Sequence, residues 1–206
     1  MIKIQECNER LVAVKRYCPS LVVHLGRKRA GEQAFLRLTV ARMLKKALAS
    51  LPRGMTFIIN DAWRPAVVQE RIRQEFFFRF KEKNPNWSTA RITKEVDKYV
   101  APSQGGKVSG HMTGGAVDLR LLSNGRKVPM KSSKLSYQEN AQSNQPKLSK
   151  YLQRNRAIMF QALQNAGLSN YPQEYWHWSY GDYYWARRNK KKIAIFGRKS
   201  GPKTLY

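Results

Sequence analysis

The sequence predicts an α+β fold in one domain, and three observations carry that expectation. The 206 residues are 42% hydrophobic and 11% aromatic, enough apolar material for one sizeable core. Segments with helical apolar spacing are grouped before and between a few short strand-like runs. Those runs lack the βαβ rhythm of a parallel sheet, and no internal repeat is present.

Residues 1–29 read as an irregular arm with a short strand around Leu21–His24. From Gly31 to Ser50, Phe35, Leu38, Met43, Leu44, Ala47 and Leu48 recur near helical spacing, and Leu51-Pro52-Arg53-Gly54 stops that helix. Met55–Asn60 is a short apolar run with the pattern of a buried strand. It ends in Asp61-Ala62-Trp63-Arg64-Pro65, where the proline forces the exit. A second helix is expected over 66–81, with Val67, Ile72, Phe76, Phe77 and Phe80 on its apolar side, broken at Asn84-Pro85-Asn86. Ser88 reads as the N-cap of a third helix to Val100, followed by a Gly/Ser-rich loop over 101–110.

Ala116–Leu122 alternates as a strand, and 123–148, rich in Ser, Asn, Lys and Gln, reads as a long surface insertion. A fourth helix is expected over 149–166, closed by Gly167. An aromatic strand over 174–180 and a short edge strand over 193–196 complete the set. The domain is placed at 1–186, with 187–206 as a basic C-terminal arm.

Lys and Arg total 39 against 13 Asp and Glu, a formal charge of +26. Such a charge attracts polyanions (nucleic acid, anionic lipid, an acidic wall polymer) without choosing among them. The basic residues are scattered, and no nucleic-acid-binding motif accompanies them. The apolar content excludes a disordered polycation, and no apolar run approaches the roughly 20 residues of a membrane span. The first ten residues mix acids and bases without an apolar stretch, so no secretory signal is read. The expectation is a cytoplasmic protein, with periplasm or envelope the alternative if a leader has been lost. Cys7 and Cys18 stand outside any CxxC, so reduced thiols are expected, with a single clip between them as the alternative.

Two of the three histidines fall in unusual settings. In Ser109-Gly110-His111-Met112-Thr113-Gly114-Gly115-Ala116-Val117-Asp118, a glycine-rich loop carries His111 into a strand that bears Asp118. In Glu174-Tyr175-Trp176-His177, a regular strand would point Glu174 and His177 to opposite faces, so one shared site requires a bulge or a strand end. Two imidazoles and a carboxylate make a three-ligand metal site with an open fourth position, as in a catalytic zinc. Glu174 would then be free as general base, and Arg64, held at a strand end by Pro65, offers a fixed fork of donors to an oxyanion or a carboxylate. Taken singly, His177 among its aromatic neighbours reads as a core histidine, Arg64 as a salt-bridge residue and His24 as structural.

DAWRP at 61–65, SGHMTGGAVD at 109–118 and EYWHWSYGDYYWA at 174–186, in that order and spacing, resemble the D-alanyl-D-alanine dipeptidases. These are the zinc enzymes known from vancomycin resistance, with the wider zinc D,D-peptidases related to them, and the resemblance covers about residues 20–186. It implies that His111, Asp118 and His177 bind one zinc, that Glu174 is the catalytic base and that Arg64 stabilises the tetrahedral intermediate. It places Ser109 at the substrate site, makes a small D-amino-acid peptide the substrate, and implies an antiparallel sheet flanked by helices. Between the aspartate and the second histidine, many members carry a Met-Gly segment followed by Phe-Asp. The corresponding Val128–Lys134 has no acid, and an acid there could hold a substrate ammonium group.

Three rival readings stand beside this one. A D,D-carboxypeptidase acting on longer peptidoglycan stem peptides keeps the site and opens the groove. An Fe(II) oxygenase also uses two histidines and a carboxylate, but usually spaces the first pair by two and has no need of Glu174. A polyanion-binding protein with a vestigial site would rest on the charge alone.

Overall fold

The computed structural model describes residues 2–26, 32–102 and 108–201. The main sheet contains β3 (Val22–Val23), β5 (Met55–Asp61), β6 (Ala116–Ser123), β9 (Glu174–Ser179) and β8 (Ser169–Tyr171), in that spatial order, with β7 (Arg126–Lys127) also paired to β6. The sheet is mixed rather than wholly antiparallel, because β3 runs parallel to β5 while the other pairs are antiparallel. The chain leaves β3 and returns to β5 through β4 (Phe35–Arg37) and α2 (Leu38–Ala49), the crossover that a parallel pair needs. Two small pairs complete the strands: β2 (Leu11–Ala13) with β4, and β1 (Lys3–Ile4) parallel to β10 (Ile193–Ala194).

Alternation along the central strands divides the sheet into two faces. Phe57 and Ile59 of β5 and Val117, Leu119 and Leu121 of β6 are buried in one core with Val40, Leu44 and Ala47 of α2 and Met159 and Leu163 of α7 (Lys150–Asn165). Asp118 and Arg120 of β6 therefore point to the other face. A smaller cluster forms where Ile72, Phe76, Phe77 and Phe80 of α3 (Ala66–Lys83) meet Ile92 and Val96 of α4 (Thr89–Val96), together with Val100. Ser88 accepts from the Arg91 N–H, so the expected N-cap is present. Val67 is 63% exposed and does not belong to the apolar side of α3.

Several expectations are corrected. The helix expected from Gly31 begins at Leu38: Phe35–Arg37 are drawn into strand pairing with β2, and the Trp63 N–H donates to the Phe35 carbonyl. Its expected start at Gly31, and residues 103–107 of the expected Gly/Ser-rich loop, lie outside the described residues. The arm at 1–29 contains β1, β2, β3 and α1 (Val14–Tyr17). The supposed insertion is integrated, with Met130, Ala141 and Leu148 buried and α6 (Tyr137–Ala141) opened by a capping box between Ser136 and Glu139. Arg156, 3% exposed, donates to the carbonyls of Met130, Asn140 and Gln142 and lies 4.0 Å over the Tyr175 ring. Beyond residue 186, β10 pairs with β1 and Phe196 joins the core. Cys7 is exposed, Cys18 is buried and both are free thiols. No described helix is long and apolar enough to cross a membrane.

Arg37 ties these parts together. It is fully buried: Nε donates to the Thr113 carbonyl, Nη1 to Glu6 Oε1 and the Glu9 carbonyl, and Nη2 to Glu6 Oε2 and the Gly197 carbonyl. Burial alone would raise the Glu6 pKa, but hydrogen bonds from Arg37 and the Gly197 N–H hold its carboxyl below the ordinary 4.5. Arg37→Met, which strands Glu6 and three carbonyls, is expected to cost about 3–5 kcal/mol and lower the melting temperature by ~10 °C or more. A depressed carboxylate contributes stability above its unfolded value and loses it as pH falls through its folded value. The melting-temperature gap between the unaltered protein and Glu6→Gln is therefore expected to be full near pH 6 and to shrink below about pH 4, as read by calorimetry.

Candidate active site

On the sheet face opposite α2 and α7, Asp118 pairs in register with His177 of β9, which sets the two side chains next to each other. His111 arrives from α5 (Gly110–Thr113), a single turn whose placement depends on two glycines. Gly114 ends the turn at φ +73°, and a Cβ there would stand 2.4 Å from a Leu11 methyl. A Cβ on Gly110 would stand 2.7 Å from Asp182 Oδ2, so only glycine lets α5 settle this close to the turn at 182. The turn after β5 and α5 brace each other, with the Arg64 N–H on the His111 carbonyl at 3.0 Å and His111 Nδ1 at 3.0 Å from the Ala62 carbonyl.

That last contact assigns the proton to His111 Nδ1 and turns the Nε2 lone pair toward Asp118. His111 Nε2 lies 3.4 Å and His177 Nδ1 3.0 Å from the same oxygen, Asp118 Oδ1. One ligand atom from each of the three residues falls within 4.8 Å of the others. In the neutral tautomer that lone pair faces a carboxylate oxygen, an approach that either a proton on Nε2 or a metal cation between the two relieves. The donor set, two imidazoles and a carboxylate facing an open cleft, fits a catalytic zinc. Burial opposes the charge on Asp118, yet the two imidazoles hold its carboxyl below the usual carboxylate range. Burial likewise lowers the His111 pKa, and the charges of Asp118 and Asp61 outweigh it, raising the value.

Of the two devices expected between Glu174 and His177, a bulge or a strand end, a bulge is present. Asn170 pairs with Trp178 and Tyr171 with Glu174, so residues 175–177 have no opposite number on β8. Asn170 Nδ2 lies within 3.0–3.3 Å of the carbonyls of Glu174, Tyr175 and His177 and holds the bulge in shape. As a result, Glu174 Oε2 comes to 4.0 Å from His177 Nδ1. Burial raises the Glu174 pKa; His177 opposes that shift and Asp118 adds to it.

Arg64 is clamped rather than free. Its Nε and Nη2 donate to Asp61 Oδ2, and Nη1 donates to Gln69 Oε1 at 2.6 Å. Gln69 is itself fully buried and donates to the Ala101 carbonyl. Ser109 occupies the N-cap position of α5 but makes no capping hydrogen bond. His111, Asp118, His177, Glu174, Arg64 and Ser109 all line one cleft of about 340 Å³, walled by aromatic side chains including Tyr171, Trp176 and Tyr184. His24 is exposed and lies outside it.

Three contributors escape a reading of the sequence. Gln69 is signalled only by its spacing, five residues after Arg64 and one turn into α3. Asn170 sits in an unremarkable Ser-Asn-Tyr strand. Arg188, expected in the basic arm, is carried into the cleft by α8 (Tyr183–Arg188), where Nη2 donates to Ser179 Oγ at 2.6 Å and Ser169 Oγ at 3.2 Å.

The chain is 26% identical over 233 aligned positions to a D-alanyl-D-alanine dipeptidase of Synechocystis sp., covering 96% of this chain and 94% of that protein. Among solved structures, VanYB in complex with D-alanine-D-alanine aligns at 18% identity, a TM-score of 0.47 and coverage of 71% and 72% of the two chains. A zinc-bound mutant of the vancomycin-resistance D,D-pentapeptidase VanY aligns at 16% identity and a TM-score of 0.48, covering 74% and 76%. The family model described as D-ala-D-ala dipeptidase (Peptidase_M15) matches residues 25–194. This chain belongs to the D-Ala-D-Ala dipeptidase family of peptidases.

Proposed function

We propose that the chain hydrolyses D-Ala-D-Ala or a similar short D-amino-acid peptide, using one zinc held by His111, Asp118 and His177. The observation that carries this reading is the approach of three ligand atoms to within 4.8 Å, with Glu174 at 4.0 Å from one of the imidazoles. The family and the name of the Synechocystis relative support the substrate class. A bound zinc supplies Lewis acidity, polarising a carbonyl and lowering the pKa of a water toward about 7.

Glu174 Oε2 takes the proton of the attacking water as oxygen adds to the peptide carbon. It returns that proton to the amine nitrogen as the C–N bond breaks. Its half-buried position, which raises its pKa, makes it a better base than an exposed carboxylate. Arg64, its guanidinium held by Asp61 and Gln69, presents its remaining hydrogens to the developing oxyanion without reorganising. Ser109 orients the peptide from the edge of α5.

Glu174→Gln is expected to retain zinc and peptide binding while turnover falls about 10²–10⁴-fold, measured as D-alanine release by mass spectrometry; wild-type turnover in that variant would overturn the scheme. Chelation should abolish activity and added zinc restore it, and His177→Ala should purify with little zinc by elemental analysis. Arg64→Met is expected to lower turnover by about 10²–10³, and Gln69→Leu, which loosens Arg64, by a smaller factor of about ten.

A further inference from the structure

Beside the metal triad, a second pocket of about 130 Å³ is lined by Asn60, Asp118, Arg120, Lys131, Tyr137 and Trp176, and it shares three of these with the main cleft. Arg120 lies two residues beyond Asp118 on the same face of β6. Lys131 enters from the segment before α6, with Nζ 5.4 Å from the Tyr137 ring and 5.2 Å from the Trp176 ring. Among the described residues, neither cation makes an ion pair or a side-chain hydrogen bond. Arg156, the third cation of the neighbourhood, is occupied by backbone carbonyls. The acid in the pocket, Asp118, is already shared between two imidazoles.

Burial, with the charges of Arg120 and Arg156, lowers the Lys131 pKa, the mark of a cation without a counter-ion. At the rim, Asn60 Nδ2 donates to the His24 carbonyl while Oδ1 is buried with no donor. The pocket therefore offers two cations to an anion and one acceptor to an N–H.

Resting on the peptidase reading above, we propose that Arg120 and Lys131 form a carboxylate subsite. The preferred substrate would then be a D-amino-acid peptide that presents a carboxylate on the side of the scissile bond facing this pocket. The carboxylate belongs either to an acidic N-acyl extension or to the C-terminus of the peptide itself.

Two matched pairs of probes distinguish these sources: N-succinyl- against N-butyryl-D-Ala-D-Ala, and D-Ala-D-Ala against its C-terminal amide. Each is measured as kcat/KM on the zinc-loaded protein and as Kd by calorimetry on Glu174→Gln. One pair is expected to show a preference of about tenfold or more for the carboxylate, and Lys131→Met and Arg120→Met should each shrink that preference severalfold. Lys131→Gln and Arg120→Gln repeat the test with polar side chains of similar length, should a methionine variant fold poorly. Lys131→Glu should move the preference from the succinyl to the butyryl peptide, or from the acid to the amide.

The subsite is rejected if the unaltered protein handles both members of each pair alike, or if the preference survives both substitutions. Binding preference without cleavage of any probe would overturn the peptidase reading and leave the subsite standing. Cleavage without preference would do the reverse.

Discussion

A guanidinium withdrawn completely from water is tolerable only when its hydrogen-bonding capacity is matched, and Arg37 meets that condition with five acceptors for its five N–H groups. The acceptors come from Glu6, Glu9, Thr113 and Gly197, so one side chain joins the first strands, the α5 turn and the end of the chain. Its own backbone N–H donates to the Gly114 carbonyl. Glu9 in turn accepts from the Thr39 N–H and hydroxyl, satisfying the start of α2 that lacks a side-chain cap of its own. The position of His111 is thus set by a network whose members lie far away in sequence.

The site itself is assembled on the polar face of a sheet whose other face is fully committed to the core. Alternation along β6 sends Leu119 and Leu121 inward and leaves Asp118 and Arg120 together outside, so the proposed metal ligand and the proposed anion-binding cation share a face for the same geometric reason. The bulge in β9 adds Glu174 to that face, and Asn170 maintains the bulge. Acids are scarce in this chain, yet two of them, Asp118 and Glu174, stand at one spot. Of the cations around them, Arg64 is paired with Asp61, Arg156 is saturated by backbone carbonyls, and Arg120 and Lys131 make no ion pair among the described residues.

Much of this was legible in the residues. The motif at 109–118, the Glu174/His177 pair and the need for a bulge or a strand end between them follow from strand and loop geometry, and the structure places those side chains in one cleft. A short apolar run located β5, alternation located β6 and an aromatic run located β9, while apolar spacing located α3 and the Gly167 stop closed α7. What was not legible depended on pairing between distant segments. Phe35–Arg37 reads as helix until β2 is available as a partner. The segment 123–148 reads as exposed until Arg156 and Asn140 supply bonds to its carbonyls. Gln69, Asn170 and Arg188 are polar residues in ordinary contexts, and they become informative only once Arg64, the bulge and the cleft have positions. The parallel β3–β5 pair was missed because two residues carry too little pattern to reveal direction.

The clasp between Glu6 and Gly197, reinforced by the β1–β10 pair, spans 191 positions of the chain. A ribosome releases residues in order, so Arg37 and Thr113 are made long before one of the carbonyls that completes their network. Until the stretch near Gly197 emerges, one buried guanidinium hydrogen lacks its acceptor and the α5 turn is held by an incomplete set of bonds. Ordering of the α5 turn that carries His111 is therefore coupled to the arrival of a segment made more than 80 residues later, and the full set of bonds around Arg37 forms only once that segment has docked.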